Sequence, residues 1–434
     1  MWDKLICVLV VGYLSFGRSF AYIGIPPLKI FIGELTLAGL ILLRNRETID
    51  RWAEAIVRPG ELHYLSVSIL FLMADGAFEV LRGVASGYPL VRALQNLVFN
   101  VYPLFIFAGI WMGSVRPDLL RRIAIQLAWV NGVYGFLYLV LLSKLQVMVP
   151  GTNPPVPLFG QPNGSAYAIA GLLCAGVEMR LYWPLFMLNA FVMLGIQVRA
   201  EFLAMLVGLI LWGTLSHNLS KVAATFACIT ALVAIGFVTD FSIPAPQTRG
   251  GAVSARYIVG RVIAPIDRDL AADLTPLAKG NAETVEWRTN WWKAIWATVN
   301  RDTETALFGL GYGFPLSSLV TYIRDEVIRT PHNAFFYSLG YCGWLGVGIV
   351  AAFQAALCRL LWKTFQVTGE AYGLVFWVMS MCGALFGDLL EAPFGAIPLY
   401  LISGLAAGKY ALRLRRQSYY ARVGWTQLLP VTGR

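Results

Sequence analysis

The chain has 434 residues, of which 58% are apolar and 13% charged, with a formal net charge of +10 and a mean hydropathy of +0.64. A soluble domain of this length needs far more charge to cover its surface, so composition excludes that class. The positive balance fits anchoring and contact with anionic lipid head groups rather than nucleic acid.

Apolar runs long enough to cross a roughly 30 Å hydrocarbon core recur from end to end. In chain order they fall near 5–24, 28–43, 62–79, 93–112, 123–143, 164–179, 182–197, 199–215, 222–239, 333–357, 371–388 and 395–410. The pattern predicts an all-α polytopic membrane protein with about twelve spans. The first run is interrupted by Arg18 and lacks a small-residue cleavage site, so it reads as a retained span. Cys7, Cys174, Cys228, Cys342, Cys358 and Cys382 all fall in predicted spans without metal-pair spacing and read as small apolar fillers. The chain thus divides into a bundle over 1–239, a loop domain over 240–331, a second bundle over 332–410 and a basic tail over 411–434.

With twelve spans both termini share one side. That side carries most of the short-loop Lys and Arg, among them Arg44, Arg46, Arg51, Arg58, Arg121 and Arg122, together with the tail. The short loops and span ends of the opposite side hold only Arg18, Lys29, Arg82, Arg92, Lys144 and Arg199, the long 240–331 loop being left out because long segments translocate regardless of charge. By the positive-inside rule the termini are cytoplasmic and the long loop faces outward. There is no P-loop, so ATP-driven pumping by this chain alone is not expected.

The outer loop begins irregularly over 242–251, with Pro244 and Pro246, and continues into a polar stretch from Arg256 to Asp273. From Asn281, a plausible N-cap, Trp287, Trp291, Ile295 and Val299 recur every fourth residue beside Trp292 and Trp296. That is an apolar helical stripe, suited either to the bilayer interface or to packing on the bundle. A second amphipathic helix is expected from Leu316 to Arg329. Between the two helices, Gly309, Gly311 and Gly313 alternate; such a segment offers exposed N–H groups to an anion or makes a flexible turn.

Chemistry-bearing residues are few. Of the three histidines, His332 lies on the outer side at the start of a span, before Asn333. The helix dipole there favours the neutral imidazole that a general base needs. Arg199 opens a span on the outer face with Glu201 two residues on. Charge at a membrane edge is costly, so this is a functional candidate or an ion pair, and a guanidinium suits bidentate phosphate binding. Arg288 could add a second guanidinium. Arg82 and Arg92 share that side, and Asp75, Glu79, Asp240, Asp388 and Glu391 lie near it. No pair has metal-site spacing.

Four segments carry a resemblance: Phe159-Gly-Gln-Pro-Asn-Gly164, Val198-Arg-Ala-Glu-Phe-Leu-Ala204, Phe308-Gly-Leu-Gly-Tyr-Gly313, and Pro331-His-Asn-Ala-Phe-Phe336 with Gly340-Tyr-Cys-Gly-Trp-Leu-Gly346. In this order, with a long outer loop between the second and the fourth, the chain resembles the O-antigen ligase and polymerase superfamily over about residues 155–350. The resemblance implies a GT-C-like fold in a bacterial inner membrane and transfer on the periplasmic face. The donor would be an undecaprenyl-diphosphate-linked glycan. The acceptor would be lipid A-core for a ligase, the favoured reading, or a lipid-linked repeat for a polymerase. It also implies His332 as the base and Arg199 and Arg288 as diphosphate-binding residues, with no metal or nucleotide cofactor needed. Arg82, Arg92, Glu201, Asn333, Gly309, Gly311 and Gly313 are supporting candidates, and Val198 stands where the family often has serine. The alternative from another class is a transporter of polyprenyl lipid or polysaccharide, which would line its bundle with charge through the depth.

Overall fold

A computed structural model describes residues 1–25, 30–145, 147–150, 152, 155–244, 252–263, 267–274, 278–321 and 330–422. It is 78% helical. The elements in chain order are α1 (Trp2–Ala21), a two-residue hairpin pair β1 (Gly24–Ile25) and β2 (Ile30–Phe31), α2 (Ile32–Leu43), α3 (Arg51–Val57), α4 (Glu61–Ala85), α5 (Leu90–Val101), α6 (Phe105–Val115) and α7 (Leu119–Val140). There follow α8 (Ser165–Cys174), α9 (Met179–Ile196), α10 (Arg199–Leu215) and α11 (Leu219–Val238). The outer segment holds β3 (Ser242–Pro244), β4 (Ala252–Ser254), α12 (Ala255–Ile263), α13 (Arg268–Leu274), α14 (Ala278–Val299) and α15 (Thr303–Phe308). The chain then closes with α16 (Ala334–Thr368), α17 (Tyr372–Phe386) and α18 (Pro393–Arg422).

A helix lies at each of the twelve expected spans, but they differ in reach. Six stretches among the described residues are long and apolar enough to cross a membrane: 2–21, 61–85, 90–115, 119–140, 219–238 and 334–368. At 1.5 Å per residue, α2 and α8 extend only about 18 and 15 Å, well short of the hydrocarbon thickness. The protein is therefore a mostly helical chain with six helices fit to cross a membrane. Helix α11 makes the case most directly, because its best window has a hydropathy of 2.0 yet is only 11% buried. Such a surface is stable only against lipid or another apolar partner.

One contiguous core runs through the helices, with a smaller cluster of Tyr138, Leu139, Val192, Ile196 and Val253. The closest helix pair is α6 on α18. Gly109 and Gly113 face Gly404 and Gly408, each against the other helix's backbone. Small residues four apart let two backbones approach, which is how helices gain packing energy where no hydrophobic drive separates them from lipid. The six cysteines are free thiols.

The 240–331 segment departs from expectation in three places. Residues 242–244, expected to be irregular, form β3 and pair antiparallel with β4 through Ile243 and Val253, while 245–251 lie outside the described residues. Helix α14 begins at Ala278 rather than at Asn281; Ala278 and Lys279 are strong helix formers and carry it through the expected cap. The second amphipathic helix is absent over its described part: Leu316–Leu319 form a 3-10 turn and Val320 is extended. The Leu316 carbonyl accepts the Trp291 indole N–H at 2.8 Å, so it is not committed to an α-helical bond. Residues 322–329 of that expectation lie outside the described residues. The tryptophan stripe resolves toward packing, with Trp291, Ile295 and Val299 fully buried.

Glu34, within the second expected span, sits in the first turn of α2. It accepts from the Phe31 amide at 3.0 Å and from the Tyr102 hydroxyl. It is a helix-capping group and not part of a charged path.

Candidate functional site

Three helix starts and a turn meet at one cavity of about 180 Å³. Among its lining residues are Asn163, Val198, Ala200, Glu201, Arg288 and His332, with Asp388 from the 387–392 segment. They come from five separate stretches of the chain, and local folding brings each there.

The Phe159–Gly164 stretch is fastened to α1. The Gly160 amide donates to Ser19 Oγ at 3.1 Å, and the Tyr134 hydroxyl donates to the Gly160 carbonyl at 2.6 Å. Helix α1 itself breaks at Gly17 (φ 53°, ψ −125°) beside the Gln161 carbonyl. The motif thus acts through its backbone, setting Asn163 and the start of α8 at the cavity.

Val198 is the N-cap of α10 and Glu201 lies in its first turn. Residues two apart on a helix face different ways. Glu201 is 6% exposed, and its Oε1 accepts from the Ala166 amide at 3.0 Å. The carboxylate therefore belongs to the start of α8 and not to an ion pair with Arg199. Arg199 itself is half-buried and stands between two lining residues without lining the cavity.

Helix α14 supplies Arg288 and also holds the histidine segment. Arg288 Nη1 donates to the Phe386 carbonyl at 3.0 Å, and its guanidinium lies 5.3 Å from the Trp287 ring. Trp287 meets the His332 ring edge to face at 6.2 Å. The Trp292 indole donates to the Pro331 carbonyl at 2.8 Å and stacks on Phe336. His332 has φ 53°, a left-handed conformation uncommon outside glycine and worth a functional explanation. Asn333 is the N-cap of α16, accepting from the Phe335 and Phe336 amides, while its Nδ2 donates to the Leu385 carbonyl at 2.8 Å. It positions the segment and does not line the cavity.

The start of α10, His332 just before α16, and the first turn of α18 through Phe394 thereby line one space. Helix N-termini and a guanidinium favour a bound anion. Beside this lies Glu391, whose carboxylate oxygens are buried. Burial pushes its pKa well above the usual range, the Asp388 charge pushes the same way, and the Thr330 hydroxyl and Asn333 amide oppose them.

The glycine segment lies elsewhere. The Gly309, Gly311 and Gly313 amides donate to the Thr305 carbonyl, the Tyr341 carbonyl and Asn96 Oδ1, so they are not the exposed donors of an anion nest. Gly309 (φ 70°) packs on Gly343, where α16 breaks (φ 61°), and a Cβ on either would strike the other's backbone. Arg82 donates to Glu79 at 2.7 Å and to the Phe308 and Gly309 carbonyls. It closes this segment onto α4. Arg92 is half-buried on α5 and lines no part of the cavity.

The sequence reading placed no part of the first span at the site, yet Tyr13, Leu14 and Gly17 line it. The signal was present as Gly17-Arg18 interrupting the first apolar run. Among the described residues no group of three or more His, Cys, Asp or Glu is arranged to hold a metal ion. No family model matches the chain, and no curated protein matches it.

Proposed function

We propose that the protein is a glycosyltransferase of the outer membrane-facing surface, moving a glycan from undecaprenyl diphosphate to an acceptor hydroxyl. The reading takes all twelve apolar helical segments as crossing or entering the bilayer in a GT-C-like bundle. Both termini are then cytoplasmic, and the cavity lies on the periplasmic side of a bacterial inner membrane. Its main support is the convergence of Asn163, the start of α10 and His332 on one cavity beside Arg288, because the first three come from three of the four segments that carry the family resemblance.

The chemistry follows from the groups present. His332 accepts the proton of the acceptor hydroxyl as its oxygen attacks the anomeric carbon. The bond from that carbon to the diphosphate oxygen breaks, and the diphosphate leaves with the electron pair. Arg288 and the N-termini of α10 and α16 stabilise the growing charge on the leaving group. Attack opposite the leaving group inverts the anomeric carbon. The favoured acceptor is lipid A-core, which makes the enzyme a ligase.

The test is release of undecaprenyl diphosphate by purified protein in lipid nanodiscs given a lipid-linked glycan and candidate acceptors. A positioned general base contributes about 10²–10⁴-fold, so His332→Ala should cut release by at least a hundredfold. Acceptor-dependent release with a single acceptor-linked product supports a ligase; a ladder of lipid-linked products makes it a polymerase instead. A wild type that consumes no donor but moves it between leaflets overturns the enzyme in favour of a transporter.

A further inference from the structure

Resting on the proposed function, we infer that Glu201 recognises a hydroxyl of the sugar attached to the lipid diphosphate, so that the cavity selects a glycosylated lipid over the bare diphosphate. The carboxylate is 6% exposed and lines the cavity. Its Oε1 accepts from the Ala166 amide, and the Ser165 amide is close by. Its Oε2 is buried and has no hydrogen-bond partner among the described residues. A buried carboxylate oxygen left in that state is costly, and native structures rarely keep one without a purpose.

The partner that fits is a neutral hydrogen-bond donor. A hydroxyl both donates and accepts, so it satisfies a carboxyl group in either protonation state. Asp388 lines the same cavity and adds a second carboxyl group. The lining therefore mixes two chemistries. Arg288 suits the diphosphate, and the carboxyl groups suit hydroxyls one sugar away. The rings of Tyr167, Phe386 and Phe394 also line it, offering apolar faces to the C–H surface of a pyranose. This assigns Glu201 a recognition role that differs from the proton transfer given to His332.

The experiment measures binding of two probes to the full protein in nanodiscs: undecaprenyl diphosphate, and undecaprenyl-diphosphoryl N-acetylglucosamine. A hydrogen bond to a charged group gives roughly a tenfold to hundredfold gain, so wild type should bind the sugar-bearing lipid at least tenfold tighter. Glu201→Gln keeps an oxygen for the Ala166 amide while replacing the acceptor on the cavity side. Glu201→Ala removes both. Each variant should bind the bare lipid as wild type does and lose most of the sugar-dependent gain. A variant that keeps the gain overturns the inference, as does equal weakening of both probes, which marks a structural role for the α8 cap. If wild type binds the bare lipid but shows no sugar gain, this inference fails alone. If it binds neither probe, the proposed function fails with it.

Discussion

Arg82 and Arg288 illustrate opposite uses of the same side chain. Arg82 is enclosed: it bridges Glu79, itself fully buried, and two carbonyls of the glycine segment. Around it the backbone is packed so closely that glycine is required on both sides of the Gly309–Gly343 contact. Arg288 donates to a carbonyl too, but it also borders a cavity shared with His332 and Glu201. Cost at a membrane edge marks both as special. What separates fold from function is the space beside the charge, which only the three-dimensional arrangement reveals.

The comparison breaks first at the glycine contact. Gly309→Val should be the most damaging single change in this region, since a β-branched residue at φ 70° is strained and its Cβ meets the backbone of Gly343. The expected outcome is loss of folded protein, read as the monodisperse fraction after detergent extraction. A folded, active variant would show that the segment can move away from α16. Next comes Arg82→Met against Arg288→Met. Removing Arg82 leaves Glu79 buried without its counter-charge, a loss of roughly 3–5 kcal/mol, and should lower the thermal midpoint sharply. Arg288→Met should leave the midpoint nearly unchanged and cut donor turnover at least tenfold. Equal midpoint losses in the two variants would erase the distinction drawn between them.

Much of this was legible in advance. Hydropathy located every helix long and apolar enough to cross a membrane, because a bilayer demands long apolar runs, and the positions of His332 and Arg288 followed from a short motif and a helical stripe. The role of the Gly309–Gly313 segment was not legible. Alternating glycines have the same composition whether their amides are exposed or consumed, and here Tyr341, Thr305 and Asn96 consume them from distant or neighbouring positions. The carboxylate of Glu201 was misdirected for a related reason: proximity in sequence to Arg199 suggested a pair that helical geometry does not form. The contribution of α1 stayed hidden because Gly17 interrupts a run whose apolar character dominates the signal.

A pH series sharpens the comparison from the carboxylate side. Glu391 is buried beside Asp388 and its pKa is raised, first by that burial. A raised carboxyl holds its proton more tightly when folded. Stability is therefore greatest below the unfolded value of about 4.3 and falls as pH climbs from there toward the folded pKa, levelling off above it. Glu391→Gln should flatten that decline, measured as thermal midpoint against pH. An identical slope in wild type and variant would assign the decline to other groups.

The smallest expected effect tests how α14 serves the histidine. Trp292 and Trp296 lie one turn apart on the same helix, and both contact aromatic rings of α16, Trp296 meeting Trp344 edge to face. Only Trp292 donates its indole N–H to a carbonyl of the histidine segment, that of Pro331 at 2.8 Å. Trp292→Phe should cost about 1 kcal/mol for that bond and let the His332 ring drift from its approach to the acceptor. Small displacements of a reacting group lower kcat more than they lower binding. The expected readout is a several-fold fall in kcat with donor KM little changed. Trp296→Phe, which keeps a ring against Trp344 and breaks no such bond, should change neither. If both substitutions lower kcat alike, the aromatic face matters as a whole, and the Pro331 carbonyl is not what holds His332 in place.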